Sequence, residues 1–344
     1  MNDFIQLPVN EQLLYYEQAK AELGIPAATI EKDFWVCWTL KQLFELPKWK
    51  DKLTFKGGTS LSKVWNLIDR FSEDIDLIVD REYLGFGGEN EPEEAQTSSQ
   101  KKKRIERLKK ACRKTVSEDL LSCLEKQINK ELPDPSLAKI IFDQEDHDHN
   151  TIEFYYPRVF PEKSLEALLP YVKLEIGPRG DNWPADKHEI KPYLIEVLPQ
   201  VFPPEGKIKV NVLDSSRTFL EKAMLLHEEG QRPESRKRKG RMARHYYDLY
   251  CMIKAGIGDK AIANESLVTR VREHRMFYYN VSWVDYETLR PGTMEMLPGQ
   301  DALSFWEKDY ESMKNNFFFG EVPSFTEIVN SVETFQDKWN ALFS

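Results

Sequence analysis

The chain has 344 residues, a length that corresponds to about two domains at ~150 residues each. With 41% hydrophobic and 31% charged residues and only 16 Gly and 19 Pro, the composition excludes a disordered, collagen-like or coiled-coil chain. Lys and Arg number 48 against 57 Asp and Glu, and the net charge of -9 argues against a protein that coats nucleic acid by bulk attraction.

The sequence indicates neither an export signal, nor a zinc site, nor a disulfide framework. No apolar run is long enough to cross a membrane, and residues 1–6 lack the regions of an export signal. The four Cys residues are scattered, with no CxxC pair and no His at ligand spacing. We therefore expect a cytoplasmic protein with no membrane partner.

Two helices are predicted near the N-terminus. Asn10 is a suitable cap for a helix that stops at Gly24 and Pro26, and an amphipathic helix follows from about Thr29 to Leu46. Apolar residues at helical spacing predict the core-facing side of the second helix, namely Ile30, Phe34, Cys37, Trp38 and Phe44.

From Leu53 the pattern changes to a strand, a Gly-Gly turn, a helix from about Thr59 to Ile68, and a strand over Asp74 to Val79. Residues 85–99 read as an exposed loop that leads into a charged helix from about Lys101 to Lys130. Further strands that extend a mixed sheet are predicted at Leu137 to Phe142, Thr151 to Tyr156 and Tyr171 to Ile176.

A Pro-rich stretch around Leu198 to Gly206 marks the expected domain boundary, and Asp214 can cap a helix through His227. The remainder is predicted to be mostly helical. The expected fold class is α+β. Residues 1–205 form a domain with a mixed sheet, N-terminal helices and a helical insertion near 85–130, and residues 206–344 form a mainly helical domain.

Asp74 and Asp76 stand two apart on a predicted strand, so both carboxylates leave the same face of the sheet. The simplest interpretation is a half-exposed strand with acids facing water. The upstream run Lys56-Gly57-Gly58-Thr59-Ser60 favours a metal-binding role for the two acids instead. Glycines let the backbone approach a ligand closely, and the free amides at the start of a helix favour phosphate binding. A triphosphate arrives with Mg²⁺, which needs carboxylates opposite the anchoring amides.

Glu175 is a candidate third acid. It lies on the polar face of a strand that can pair beside the Asp74 to Val79 strand. Lys173 lies on the same face, so an ordinary ion pair between Lys173 and Glu175 is an equally good interpretation from spacing alone. If the three carboxylates converge, a divalent cation is the natural way to offset their repulsion.

Later charged residues also allow two interpretations. Lys222 lies at the border of an apolar helix face, from which it can reach a cleft or place its ammonium in water. Arg244 and Asp248 are four apart, so an intrahelical ion pair is the default. His227 and His245 are expected to serve packing or hydrogen bonding.

A basic segment leads into the helix that carries Arg244 and Asp248. This segment is either a solvated turn or a contact for RNA phosphates, and its candidate residues are Arg236, Lys237, Arg238, Lys239, Arg241 and Arg244.

The run from Phe55 to Leu77, FKGGTSLSKVWNLIDRFSEDIDL, resembles the nucleotidyltransferase signature of the AbiEii/AbiGii toxin family, in which a Gly-Gly-Thr/Ser element precedes Ser-x-Asp-x-Asp. Four further segments are similar to that family in the same order and extend the likeness over most of residues 29–255: Glu31 to Asp33, Lys173 to Glu175, Arg217 to Lys222 and Arg244 to Asp248.

The resemblance implies a polymerase-beta-like nucleotidyltransferase domain followed by helices, and a role in toxin-antitoxin systems or phage defence. It implies that Asp74, Asp76 and Glu175 are catalytic and bind Mg²⁺ or Mn²⁺. It also implies an NTP substrate held by a larger set of residues, namely Gly57, Gly58, Thr59, Ser60, Lys63, Ser72, Lys222 and Asp248. The segment near 85–130 and the tail after 255 match no motif of the family.

These features together predict a Mg²⁺-dependent nucleotidyltransferase that moves a nucleoside monophosphate from an NTP to a hydroxyl, with the tRNA 3′ end as expected acceptor. The resemblance also implies an antitoxin protein as partner. Two other functions stay open at this point: transfer to a small molecule or protein hydroxyl, and nucleotide or partner binding without turnover.

Overall fold

The computed structural model describes residues 1–146, 150–164, 168–201 and 208–342. The chain forms two compact units. The first comprises Met1–Val64 and Phe71–Leu213, and the second comprises Trp65–Arg70 and the chain from Asp214 onward. The predicted boundary between residues 205 and 206 lies outside the described residues. Six residues between Gly57 and Asp74 thus belong to the second unit.

The first unit contains seven helices and seven strands within the described residues. Its helices are α1 (Asn2–Ile5), α2 (Val9–Leu23), α3 (Ala27–Glu45), α4 (Gly57–Lys63), α5 (Ser98–Thr115), α6 (Leu121–Glu131) and α7 (Tyr193–Val197). Its strands are β1 (Leu53–Lys56), β2 (Asp74–Val79), β3 (Lys139–Phe142), β4 (Asn150–Tyr155), β5 (Val172–Gly177), β6 (Ala185–Ile190) and β7 (Ile208–Leu213).

The strands form one mixed sheet in the order β3-β4-β5-β2-β1-β7-β6. Strand β2 pairs antiparallel with β1 and parallel with β5, so the centre of the sheet carries the Asp74 to Val79 strand. The α+β class and the mixed sheet are confirmed. Strands β6 and β7 were not predicted, although β7 pairs with β1 near the middle of the sheet.

Helix α3 covers the apolar face of this sheet. Trp38 stacks on Phe154 with ring centroids 5.8 Å apart, and Trp35 stacks on Tyr156 at 5.3 Å. The residues predicted to face the core, Ile30, Phe34, Cys37, Trp38 and Phe44, are buried, but so is nearly all of the helix, including its charged residues, so the prediction of an amphipathic helix with one core side was wrong. Because α3 covers one face, polar residues of the central strands lie on the other.

Helix α4 differs from its prediction at both ends. It begins at Gly57 rather than Thr59 and ends at Lys63 rather than near Ile68. The Gly-Gly pair therefore opens the helix itself and is not a separate turn. The helix stops early because residues 65–70 leave the first unit and join the second.

The predicted charged helix is two helices joined by a π-helical turn. Helix α5 continues into this turn at Val116–Leu120, and α6 follows directly. The apolar residues Leu108, Cys112, Val116 and Leu120 are buried along this arm. In the part of the chain that the structure describes, no helix has the length and apolarity needed to span a membrane.

The second unit is helical, with α8 (Ser215–Gly230), α9 (Arg244–Lys254), α10 (Ile257–Ile262), α11 (Glu265–Tyr278), α12 (Gln300–Phe317) and α13 (Phe325–Ala341). Asp214 caps α8 as predicted, because its carboxylate accepts a hydrogen bond from the amide of Ser216 at 2.7 Å. Edge-to-face aromatic contacts fill the core, such as Tyr246 with Trp306 at 5.1 Å.

Candidate active site

A row of polar residues crosses three neighbouring strands at the centre of the sheet. Asp76 on β2 lies opposite Lys56 on β1 and opposite Glu175 on β5 in the strand register. Asp74 occupies the next position on the same face and lies opposite Lys173. The sequence prediction that the Glu175 strand pairs beside the Asp74 to Val79 strand is confirmed.

Gly57 brings the start of α4 against the Asp76 carboxylate. Its φ of 81° lies in the left-handed region, which favours glycine. A Cβ added at Gly57 would lie 2.0 Å from Oδ2 of Asp76, so any side chain at this position would force the carboxylate to move. The backbone at the first turn of α4 and the carboxylate on β2 therefore depend on the absence of a side chain at position 57.

Three hydroxyl groups hold α4 in this position. The buried Thr59 hydroxyl donates to the carbonyl oxygen of Asp74 at 2.5 Å and lies 3.0 Å from the hydroxyl of Ser72. Ser60 is fully buried and donates to the carbonyl oxygen of Gly57 at 2.8 Å. These bonds tie the helix start to the first residue of β2, so they fix Asp74 relative to Gly57.

Lys173 is the ion-pair partner of Glu175. Its Nζ lies 2.5 Å from Oε1 of Glu175, and the two side chains are 26% and 22% exposed. Burial alone would lower the pKa of Lys173, but the hydrogen bond to Glu175 and the nearby charge of Asp74 raise it. The ordinary ion pair that the spacing allowed is therefore present, and Glu175 is charge-compensated here.

The donor set on this face consists of hard carboxylate oxygens, which suit Mg²⁺ or Mn²⁺. Asp74 and Asp76 are partly exposed, and the Asp76 carboxylate occupies the space that the absence of a side chain at Gly57 leaves. Among residues 1–146, 150–164, 168–201 and 208–342, no three His, Cys, Asp or Glu side chains are gathered closely enough to hold a metal ion. Asp74 and Asp76 fit such an ion, whereas Glu175 would join it only after leaving Lys173.

Lys63 is held by a buried ion pair at the end of α4. Its Nζ lies 2.7 Å from Oδ1 of Asp33 and 3.6 Å from the centre of the Tyr193 ring. Burial alone would lower the pKa of Lys63, but the Asp33 carboxylate raises it. Asp33 also accepts the amide of Tyr193 at 2.7 Å, so Lys63 joins α4 to α3 and α7.

The neighbours of Asp33 on α3 are buried charges whose partners sequence reasoning missed. Lys32 lies 3.5 Å from Oε2 of Glu73 and donates to the carbonyl oxygens of Leu169 and Tyr171. Glu73 in turn accepts the amide of Leu169 at 2.9 Å. Burial lowers the pKa of Lys32 to about 8, although Glu73 and Asp74 act against this.

Glu31 completes this run of buried charges. Its carboxylate accepts the amides of Val159 and Phe160 at 2.5 and 3.2 Å. Burial raises the pKa of Glu31 to about 7 despite these two hydrogen bonds. The sequence did contain a signal for these contacts, namely three consecutive charged residues in an otherwise apolar helix. Because charged residues can be buried only with polar partners, the run indicates partners on several sides of the helix.

Lys222 and Asp248 meet in the core of the second unit, together with Arg70. Arg70 binds both oxygens of Asp248 at 2.7 and 2.8 Å, and Lys222 lies 2.9 Å from Oδ2. Burial alone would raise the pKa of Asp248, but Arg70 and Lys222 hold it well below its usual range. The carboxylate therefore pairs with cations from other elements, and Arg70 was not predicted.

This cluster carries more positive than negative charge. His245 lies with Nδ1 3.3 Å from Nζ of Lys222. Burial and the neighbouring Lys222 and Arg244 lower the pKa of His245 well below its ordinary value, so the ring is neutral and accepts from Lys222. Burial also lowers the pKa of Lys222. The prediction that His245 serves hydrogen bonding is consistent with this contact.

The basic segment between α8 and α9 is partly held by aromatic rings. The guanidinium groups of Arg232 and Arg236 lie 4.9 and 4.6 Å from the ring of Trp283, and Arg241 lies 4.4 Å from Phe317. Of the four remaining candidates, Lys237 and Lys239 are exposed, and Arg238 and Arg244 are half-buried. The segment is thus a fixed, solvent-facing surface of the second unit.

His227 is a structural residue of the same unit. Its Nδ1 accepts the amide of Glu295 at 2.9 Å, and its Nε2 lies 3.0 Å from the hydroxyl of Thr288. Burial lowers the pKa of His227 to about 4, so the neutral ring that these bonds require is maintained. The expected hydrogen-bonding role is confirmed.

Comparison with known protein families matches residues 38–341 to the family described as nucleotidyl transferase AbiEii toxin, type IV TA system. A search of curated proteins found no match. Among solved structures, the nucleotidyltransferase toxin MenT4 of Mycobacterium tuberculosis H37Rv is similar at 14% identity, with 97% of this chain and 94% of that chain covered and a TM-score of 0.42. That likeness is too distant to carry a conclusion.

Proposed function

The chain belongs to the AbiEii family of nucleotidyl transferase toxins of type IV toxin-antitoxin systems, and from this premise we propose which reaction its polar sheet face performs. The proposed reaction transfers a nucleoside monophosphate from an NTP to a hydroxyl at the tRNA 3′ end and releases pyrophosphate. The observation that carries it is the contact of Asp76 with the first turn of α4, next to Glu175 in the sheet.

Asp74 and Asp76 are the proposed ligands of Mg²⁺ or Mn²⁺. When bound there, such an ion would neutralise charge on the triphosphate and polarise the attacking hydroxyl. Glu175 is proposed to receive the proton of that hydroxyl. Because Lys173 holds Glu175 in this structure, the lysine would have to exchange its partner, for which a triphosphate oxygen is chemically suitable.

The amides of Gly57 and Gly58 are the proposed contacts for the NTP phosphates. The Thr59 hydroxyl supports them by bonding to Asp74 of β2 and to Ser72, and the Ser60 hydroxyl supports them by bonding to Gly57 within α4. Further residues proposed to contribute to NTP binding are Lys63, Lys222 and Asp248. The net positive charge around Asp248 supports a phosphate-binding role for the second unit.

The basic segment is the proposed contact for the RNA acceptor, with Arg236, Lys237, Arg238, Lys239, Arg241 and Arg244 as its residues. Aromatic rings hold Arg236 and Arg241, and a fixed cation loses less conformational freedom when it binds a phosphate. The family implies an antitoxin partner. We propose that the protein acts as a toxin or phage-defence effector that this partner restrains.

Incubation with each labelled NTP, Mg²⁺ and total tRNA tests the reaction. We expect label at the tRNA 3′ end and stoichiometric pyrophosphate. Reversal of charge at Lys237 and Lys239 should weaken tRNA labelling and leave labelling of a small acceptor unchanged. Label on a protein or small hydroxyl compound would contradict the tRNA assignment. NTP binding without pyrophosphate release would contradict catalysis.

A further inference from the structure

Helix α5 is a strongly basic element in an acidic protein. Among its 18 residues nine are basic and one, Glu106, is acidic, which gives the helix a net charge of +8 while the chain as a whole carries -9. The basic residues are Lys101, Lys102, Lys103, Arg104, Arg107, Lys109, Lys110, Arg113 and Lys114. Helix α5 is in the first unit, as is the polar sheet face.

Four of these cations form a single exposed stripe. Lys103, Arg107, Lys110 and Lys114 follow one another at intervals of four, three and four residues, so they lie on one side of the helix. At 1.5 Å per residue the stripe is about 16 Å long. All four side chains are exposed. The opposite side of α5 carries the buried Leu108 and Cys112.

Three other cations of α5 have structural partners. Lys109 pairs with Glu106 at 2.9 Å, Arg104 donates to the carbonyl oxygen of Glu91, and Arg113 donates to the carbonyl oxygen of Asp146. By contrast, the four stripe side chains form no ion pair with any residue that the structure describes. The single acid of the helix is thus engaged elsewhere, and the stripe presents its charge to solvent.

Helix stability does not account for the stripe. Cations in the last turn of a helix interact favourably with its dipole, which suits Lys114. Lys103 and Arg107 lie outside that turn and gain nothing from it, and they repel each other at four-residue spacing. A polyanionic ligand would remove this repulsion.

We infer that the stripe formed by Lys103, Arg107, Lys110 and Lys114 binds the phosphate backbone of the RNA acceptor. The choice of RNA rests on the proposed function. The first turn of α5 exposes the polar residues Ser98, Ser99 and Gln100, and from there on every exposed side chain is charged, namely those of the stripe together with Lys102 and Glu106. A protein interface needs an apolar centre, whereas phosphate contacts need spaced cations alone. The surface therefore suits a nucleic-acid backbone better than an acidic protein.

The test measures anisotropy of fluorescently labelled total tRNA at several salt concentrations, with full-length protein and without NTP. A variant with Gln at all four stripe positions is expected to bind at least tenfold more weakly at low salt. Its slope of log affinity against log salt should be smaller by about 3, because each lost phosphate contact removes 0.7 to 0.9. A matched control variant carries Gln at four other exposed lysines of the first unit, namely Lys20, Lys187, Lys191 and Lys209.

The control variant is expected to keep the wild-type affinity and slope within twofold. Equal binding by the stripe variant and the control would overturn the inference, provided that both melt like wild type. Polyglutamate that displaces tRNA at equal charge concentration would also overturn it, in favour of an acidic protein ligand. If tRNA binding depends on the stripe but no nucleotide is transferred, only the proposed function is refuted. If nucleotide is transferred but tRNA binding does not depend on the stripe, only this inference is refuted.

Discussion

At position 57 both the backbone conformation and the neighbouring carboxylate require glycine. Substitution Gly57→Ala is expected to lower the free energy of unfolding by about 1–2 kcal/mol because of the positive φ. It should also displace Asp76, so the rate of nucleotidyl transfer should fall by much more than the loss of stability alone would cause. Gly85→Ala is the matched control, because Gly85 has a φ of 83° with nothing within 4 Å. Urea unfolding and initial rates of transfer check both variants, and equal rates for the two would contradict the role of this contact.

Glu31 gives the first unit a specific pH dependence. The pKa of Glu31 is about 7 in the folded protein, whereas its ordinary value is 4.5, so between these pH values the folded state binds a proton that the unfolded state has released. The protonated Glu31 therefore contributes about 3 kcal/mol to the free energy of unfolding below pH 4.5, and this contribution is lost as the pH rises through 7.

The substitution Glu31→Gln removes this titration. The difference in unfolding free energy between the variant and wild type should shift in favour of the variant as pH rises from 4.5 to 7.5. Urea unfolding at several pH values measures it. A difference that stays constant with pH would show that Glu31 titrates normally.

At the residue scale, the alternation of β2 and β5 was sufficient to predict which side chains share a face, and hence that Asp74, Asp76 and Glu175 do. The buried partners of Lys32, Lys63 and Asp248 were not predictable. Each pairs with a residue more than 25 positions away, and such contacts depend on tertiary structure that local periodicity does not encode.

At the scale of elements, Arg70 links the segment Trp65–Arg70 to α9. Substitution Arg70→Ala leaves Asp248 buried with Lys222 as its remaining described partner and should destabilise the protein by about 3–5 kcal/mol. The nearby exposed substitution Asp69→Asn should cost less than ~0.5 kcal/mol. Thermal and urea unfolding distinguish them, and a double variant with Asp248→Asn should be less than additive. Similar losses for Arg70→Ala and Asp69→Asn would contradict the proposed link.

The elements themselves were predicted unevenly. Helix α3, which has apolar residues at helical spacing, and helix α8, which has Asp214 as its capping residue, were found with small errors at their ends. Strand β7 alternates Ile208, Val210 and Val212 with polar residues, yet it was assigned to the helical part because the preceding Pro-rich stretch was read as a boundary. Strands β6 and β7, which precede and follow that stretch in the chain, pair antiparallel in the same sheet, so the prolines do not mark the end of the sheet.

At the scale of the molecule, the two units should respond to pH in opposite directions. The pKa of His227 in the second unit falls from 6.5 to about 4, so its stabilising contribution is present above pH 6.5 and is lost as pH falls toward 4. The loss amounts to about 3 kcal/mol. Glu31 in the first unit has the opposite effect over nearly the same range.

Calorimetry between pH 4 and 7.5 can separate these contributions with Glu31→Gln and His227→Gln. The first variant should lose stability relative to wild type toward acid, and the second should gain. The double variant should follow a flatter profile than either single variant. Shifts of the same sign for both variants would contradict the assignment.

The distribution of charge matters more than its sum in this molecule. The net charge of -9 argued against bulk attraction of nucleic acid, yet α5 alone carries +8. We therefore base the proposed nucleic-acid contact on local cation density and not on net charge.

The most direct measurement compares nucleotide transfer by wild type and by Asp76→Asn, with Asp186→Asn on the exposed face of β6 as control. With labelled NTP, Mg²⁺ and total tRNA, we expect Asp76→Asn to lose about 1000-fold in rate, equivalent to ~4 kcal/mol of transition-state stabilisation. Asp186→Asn should match wild type. Transfer by a folded Asp76→Asn variant within tenfold of the wild-type rate would contradict the assignment of catalysis to this face of the sheet.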